Sequence, residues 1–311
     1  MTRRSETMQQ DWTRREFLKR SAAFAAGAAV STGLPLRALA GVREPYKPAI
    51  DLAVASGASP VKNTLAAVEK LGGFGKFVRP GDKVALKPNP IGASPPEQAI
   101  NTHPEMIGAV VKGCLGAGAA RVIVLSHDSP DWFEGNGTAE AVRRAGGIVK
   151  PINDRADYVE IPLPRARLLH SVEIARDIAE ADVFINMPIA KHHAGARVTF
   201  AMKNLMGANW DRIILHRLDL QATIAELATA VRHDLIIMDA NHALLTNGPS
   251  GPGRVSRPQT VIAGVDPVAV DAWACRYLDV RPESVGHIRH AWELGVGEMN
   301  LDRLKIDEFA A

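Results

Sequence analysis

The sequence predicts an α/β fold: a mainly parallel sheet with helices on both faces, in a single domain. Three observations carry that expectation. Apolar runs of strand length alternate with amphipathic stretches of helix length, the pattern of strands joined by crossover helices. The chain has 311 residues, enough for one large α/β domain or two small ones. The one Gly/Pro-rich stretch, TNGPSGPGRVSRP at 246–258, has the composition of a shaped loop rather than of a linker.

Taken in order, IDLAVAS reads as the first strand and VKNTLAAVEKLGGF as the helix after it. DKVALK is the second strand, followed by the proline-rich loop PNPIGASPPEQAINTHP and a helix from Glu105 to about Gly116. ARVIVLS, GTAEAVRRAG and GIVKPI read as strand, helix and strand. Less regular short strands lead to the buried run DVFINM and then to a helix over roughly Leu218 to Val231. DLIIMD and TVIAGV are further strands, with helices at Pro267–Tyr277 and Glu283–Leu294. Asp266 before Pro267 has the form of an N-cap with proline at the first helical position.

Residues 1–40 read as an address and stand apart from the domain at 41–311. Arg14 and Arg15 are followed by Phe-Leu-Lys, then by an Ala/Gly-rich apolar stretch and by Ala38-Leu39-Ala40 as a small-x-small cleavage site. This resembles a twin-arginine (Tat) export signal, which implies passage through the Tat translocase, cleavage near Ala40 and a periplasmic or extracellular protein. The apolar stretch is short, poor in leucine and interrupted by Gly33 and Pro35, so no stable membrane span is expected.

The leader also distorts the charge. The chain holds 37 Lys/Arg and 34 Asp/Glu, but seven and three of these lie in residues 1–40, leaving 30 and 31. The remainder is nearly neutral and carries no basic stripe with interleaved aromatics, so no nucleic-acid partner is expected. Cys114 and Cys275 sit in apolar helical patterns and read as two buried small hydrophobes, although one disulfide would also account for the pair. Two cysteines cannot hold an iron–sulfur cluster on this chain.

Open α/β sheets bind ligands beyond the carboxyl ends of their strands, so the residues that follow each apolar run are the informative ones. They are Lys87 and Asn89; Ser126, His127 and Asp128; Lys191, His192 and His193; Asp239, Asn241 and His242; and Asp266. Some have plain explanations. His127-Asp128 fits a surface turn as well as a site, and His287 with His290 fits an exposed helix face. The stretch from Lys191 to Asn204 is different. No acid occurs between Asp182 and Asp211, while Lys191, His192, His193, Arg197 and Lys203 all do. Thr199 and Lys203, four apart, would share a face if the segment were helical. An anion-attracting pocket is the expectation.

DVFINMPIAKHHAGARVTFAMKNLMG is similar to the signature stretch of the domain of unknown function family 362. VALKPNP, THPEMIGAVVKGCLGAGAARVIV, NGPSGPG and GVDPVAVDAWACRYL agree, so the resemblance spans most of residues 50–300. It implies an α/β domain and picks out Lys87, Asn89, Thr102, Lys191, His193, Thr199, Lys203, Asn204 and Asp271. Many members of that family join this domain to a ferredoxin-like cysteine motif, which this sequence lacks.

Two functions follow as expectations. In the first, an enzyme holds a small anionic ligand with Lys87, Asn89, Thr102, Thr199, Lys203 and Asn204. Lys191 joins His192 or His193, titrating near neutrality, in moving a proton or in redox-linked chemistry. Imidazole with carboxylate suits zinc, iron or nickel, so His127, Asp128, Asp239 and His242 are candidate ligands for a divalent metal. In the second, the protein is a non-catalytic ligand-binding or accessory component of an exported redox complex whose iron–sulfur partner protein carries the clusters. No G-x-S-x-G elbow, P-loop, HExxH or Gly-x-Gly-x-x-Gly motif occurs.

Overall fold

A computed structural model describes residues 44–311, so the expected export signal with Arg14, Arg15, Ala38 and Ala40 lies outside the described residues. The predicted strands form where their apolar runs stand: β1 (Leu52–Ser56), β2 (Lys83–Lys87), β3 (Arg121–Ser126) and β4 (Ile148–Pro151). The irregular stretch gives β5 (Tyr158–Pro162) and β6 (Ser171–Ala175), which pair with each other. Next come β7 (Val183–Asn186), β8 (Ile189–His193), β9 (Arg197–Thr199), β10 (Leu235–Leu244), β11 (Val255–Ser256), β12 (Thr260–Gly264) and β13 (Ile306–Ala310).

The main sheet runs β13-β1-β12-β10-β7-β2-β3-β4. Only β12 is antiparallel to its neighbours along that path. It returns from β10 through residues 245–259 without a crossover helix, and a return of that kind forces the antiparallel direction. The reversal corrects one sequence expectation. Asp266, at the carboxyl end of β12, lies at the sheet edge opposite the carboxyl ends of β2, β3 and β7. There it accepts from the Val268, Ala269 and Glu298 N–H groups, so its N-cap role is the one the structure shows.

Alternation along the central strands supplies both faces. Val84, Leu86, Val122 and Val124 point into one apolar layer, and Ala85, Ile123 and Leu125 into the other. Helices α1 (Pro60–Lys70), α2 (Phe74–Phe77), α3 (Pro104–Gly116), α4 (Pro130–Gly135) and α5 (Thr138–Arg144) follow β1 to β3 in the chain. Residues of α1, α3 and α5, including Val68, Val110 and Val142, close the first layer. After α6 (Arg176–Ala179) come α7 (Ala201–Asn204), α8 (Arg212–Arg217), α9 (Leu220–Ala228), α10 (Pro267–Ala274) and α11 (Gly286–Glu293). The last five contribute to the second layer. Asp219 caps α9 through the Gln221 and Ala222 N–H groups, which is why α8 and α9 are separate helices rather than one.

Tyr46–Ala311 is one compact unit. Cys114 and Cys275 are both free and buried, as two small hydrophobes would be. Among the described residues no helix is long and apolar enough to cross a membrane.

Candidate functional site

Because β7, β2 and β3 are adjacent, their last residues, Asn186, Lys87 and Ser126, arrive side by side at the edge where parallel sheets bind ligands. Met187-Pro188 interrupts β7, and the chain resumes as β8, which pairs with β10 and turns back into β9. The cationic cluster therefore stands on a hairpin. Lys191 is paired with Thr199 and His193 with Arg197. Thr199 belongs to β9 and Lys203 to α7, so the helix face they were expected to share does not form.

Beneath the cations lies a buried ladder of amides. The Asn89 Nδ2 donates to Asn204 Oδ1 at 2.9 Å, and the Asn204 Nδ2 donates to Asn186 Oδ1 at 2.8 Å. The Asn186 Nδ2 donates to the Ala201 carbonyl at 2.9 Å. Thr102 accepts from the Asn89 N–H and donates to the Met187 carbonyl. Asn89, Thr102 and Asn204 thus fix the loops after β2 and β7, and their bonds run within the protein. Asp271, on α10, accepts from the Ala201 and Met202 N–H groups at 2.7 and 3.1 Å. It caps α7 from outside, where Phe200 has no capping side chain, and so positions Lys203 and Asn204. Burial pushes the Asp271 carboxyl up to about 8, with the two N–H donors opposing it.

The three lysines differ. Lys87 donates to Ser126 Oγ at 2.8 Å and to the Pro88 carbonyl at 2.7 Å. Its value falls to about 8 through burial, Asp128 opposing and Arg212 and Lys203 reinforcing the fall. Gly207 makes room for it, since a Cβ there would sit 2.7 Å from Lys87 Nζ and 2.9 Å from Ser126 Oγ. Lys191 is fully buried and donates to Asn89 Oδ1 at 2.8 Å and to the Ile100 carbonyl at 2.6 Å. Burial, with Lys203 and Lys87 reinforcing and Asp128 opposing, holds it well below the ordinary lysine value. Both of these donated bonds end on buried acceptors, so Lys191 acts as a structural donor that ties the loop after β2 to β8.

Lys203 is 9% exposed and has no hydrogen-bond or ion-pair partner among the described residues. Burial and then the Arg212 charge lower it to about 8. Its own charge in turn lowers Lys87, Lys191, His193, His216 and His287, which places it at the electrostatic centre of the site. Opposite Lys191, the Thr199 hydroxyl is buried without a partner. The carboxylate whose charge reaches Lys87 and Lys191 is Asp128, and it is engaged already. Asp128 accepts a short hydrogen bond from the Ser126 hydroxyl and pairs with Arg212 at 3.3 Å.

His193 does not titrate where expected. His193 Nδ1 accepts from the Gly195 and Ala196 N–H groups, both at 3.1 Å, so the neutral ring carries its proton on Nε2. Burial, then Lys203, pushes its value down to about 3, far from neutrality. His192 is half-buried, and its Nδ1 accepts from the Gly248 N–H at 3.1 Å. A Cβ at Gly248 would collide with the His192 carbonyl, so the 246–258 loop packs directly on this strand. His287, expected on an exposed helix face, is fully buried. Its ring bonds Gln221 Oε1 through Nδ1 while Nε2 has no partner.

The four proposed metal ligands are not brought together. His127 stacks on Trp210 at 5.1 Å between ring centres, and Asp128 is held as described. Asp239 lies within β10, where it accepts from the His103 N–H and from the Asn241 backbone and side chain. His242 is half-buried three residues further along the same strand. Among the described residues no three His, Cys, Asp or Glu side chains gather as metal ligands do. A cavity of about 340 Å³ is lined in part by His127, Asp128, Trp132, Arg212 and Ser250, and meets the lysines only through Asp128, which Ser126 links to Lys87. Arg212, Gly207 and Asn186 are site residues that sequence reasoning left unassigned. Asn186 stood within the stretch DVFINMPIAKHHAGARVTFAMKNLMG that carries the family resemblance, and Arg212 lay outside it.

With this geometry in place, comparison with known proteins is direct. The sequence profile described as "Domain of unknown function (DUF362)" matches residues 84–276, which hold Lys87, Ser126, Lys191, Lys203, Arg212 and Asp271. The thylakoid-associated protein sll1697 of Synechocystis sp. is 28% identical over 243 residues, covering 74% of this chain and 73% of that one. Among solved structures, the lactate racemase apoprotein from Thermoanaerobacterium thermosaccharolyticum is similar at 12% identity and a TM-score of 0.38. That match covers 74% of this chain and 57% of the other. A Thermotoga maritima protein matches at 8% identity and a TM-score of 0.40, over 75% of this chain and 58% of its own. The chain thus spans little more than half the length of these solved chains.

Proposed function

The chain belongs to the domain of unknown function family 362, and we propose that it binds a small anionic ligand at the carboxyl edge of its sheet, beside Lys203. One observation supports this above the others: Lys203 is nine-tenths buried and carries no partner among the described residues, while Lys87 and Lys191 each have two. A buried cation is costly to leave unpaired, and an anion would supply both charge and acceptors. Arg212, half-buried at the wall of the cavity, offers a second cationic contact. The Thr199 hydroxyl offers a neutral donor. Asn89, Thr102, Asn204 and Asp271 hold this arrangement in place rather than touching the ligand. In this reading a proton-moving role falls to Asp128, linked to Lys87 through Ser126, before either histidine of β8. The protein works beyond the cytoplasmic membrane, on the strength of the twin-arginine pattern at Arg14 and Arg15.

Phosphate or sulfate should raise the melting temperature above that in chloride at matched ionic strength. A ligand at a hundredfold excess over its dissociation constant stabilises the folded form by about 2.7 kcal/mol. For a chain of this size that is roughly 5–10 °C. Lys203→Met should lose the increment. A melting temperature indifferent to the anion in the wild-type protein would refute the reading.

A further inference from the structure

We propose that Lys203 is a nucleophilic amine and that the ligand class is the small oxo acids, with Lys203 attacking the carbonyl carbon to form an imine. This rests on the anion-pocket reading and narrows it to one kind of anion.

The three lysines of the site differ in what their nitrogens already do. Lys87 donates to Ser126 and Pro88, and Lys191 to Asn89 and Ile100, so each of these nitrogens is held in place by two bonds that it would have to break to reach a carbonyl. Among the described residues Lys203 donates to nothing. An amine without fixed acceptors, on a side chain nine-tenths buried and near the Arg212 guanidinium, sheds its proton more easily than a surface lysine and keeps its lone pair available. Other nucleophiles of the chain are poorly placed. Cys114 and Cys275 are buried, and burial pushes the Cys114 thiol up to about 12. The Ser126 hydroxyl is fully buried between Lys87 and Asp128.

The surroundings suit a molecule bearing both an acid group and a carbonyl. Arg212, at the wall of the cavity and paired with Asp128 through one Nη, keeps further N–H donors of its planar cation for a ligand carboxylate. The unpartnered Thr199 hydroxyl can donate to a carbonyl oxygen as negative charge develops on it. The step balances without oxidant or reductant. The nitrogen lone pair forms the C–N bond as the carbonyl π pair moves to oxygen. The oxygen then leaves as water with the two hydrogens that the amine carried, and C=N remains.

The test uses the purified full-length protein with glyoxylate or pyruvate and cyanoborohydride at pH 7.5, read by intact mass and peptide mapping. Reduction should trap one adduct per chain on Lys203, at least tenfold faster than on exposed lysines such as Lys62. Phosphate should slow the labelling. Lys203→Met should give no adduct in that peptide, with an unchanged circular dichroism spectrum to show that it folds. Labelling spread evenly over surface lysines, or labelling of Lys203 that phosphate leaves untouched, would overturn the proposal. If phosphate raises the melting temperature while Lys203 stays unlabelled, the oxo-acid class fails and the anion site stands. If phosphate neither stabilises nor protects, both fail.

Discussion

Raising the pH from 8 to 10 on the wild-type protein and on Lys203→Met isolates the burial of one ammonium group. In the folded chain Lys203 loses its proton near 8, against about 10.5 for an ordinary lysine. Between those values the unfolded chain binds more protons than the folded one, so stability from this group rises with pH. The sign follows from the lowered value: the destabilisation is full below about pH 8 and fades as pH climbs towards 10.5. One pH unit corresponds to about 1.4 kcal/mol. Because Lys203 is half-titrated at pH 8, the change from pH 8 to 10 is roughly 2 kcal/mol. Cys114, Tyr158 and Tyr277 are all raised by burial and pull the other way at high pH, but they do so in both proteins. Urea denaturation followed by tryptophan fluorescence at pH 7, 8, 9 and 10 gives the difference directly. Any lead of the variant over wild type should shrink by about 2 kcal/mol between pH 8 and 10. A difference constant with pH would show that the Lys203 ammonium is as well solvated as any surface lysine, and the pocket argument would lose its footing.

Lys191→Met removes the donor from Asn89 Oδ1 and the Ile100 carbonyl, both buried. It should lower stability by roughly 2–4 kcal/mol, a fall of about 5–15 °C by calorimetry; an unchanged melting temperature would rule out the structural-donor role. Gly207→Ala drives a Cβ against Lys87 Nζ and should cost roughly 1–3 kcal/mol while weakening phosphate binding measured by calorimetric titration. Undiminished binding would mean that Lys87 is not part of the site. Replacing Arg14 and Arg15 with Lys should block appearance of the protein in the exported fraction, and normal export of that variant would exclude the twin-arginine route.

The sheet was legible because its central strands are short apolar runs bounded by polar residues, and periodicity alone locates such runs. Direction was not. TVIAGV looks like its parallel neighbours, and only the short connection from β10 reverses it, which is how Asp266 came to be placed at the wrong edge. β13 went unpredicted because IDEFA is an edge strand with two acids and little apolar signal. Within the site, the residue types were readable but their roles were not. Lys191 and Lys203 look alike in sequence, and only the acceptors around each nitrogen distinguish a donor locked in place from a free amine. Likewise, two histidines in a row suggested titration near neutrality, whereas burial beside Lys203 takes His193 far below it. Gly207 and Arg212 matter through contacts with residues more than 80 positions away.

The most direct measurement is a crystal structure of the protein soaked in selenate, with the anomalous signal of selenium locating the anion. The account predicts a selenate within hydrogen-bonding distance of Lys203 Nζ, with Arg212 or the Thr199 hydroxyl as a further contact, and with Lys191 still bound to Asn89 and Ile100. A selenate bound only elsewhere, or a Lys203 ammonium paired with a carboxylate or carbonyl of the protein itself, would contradict it.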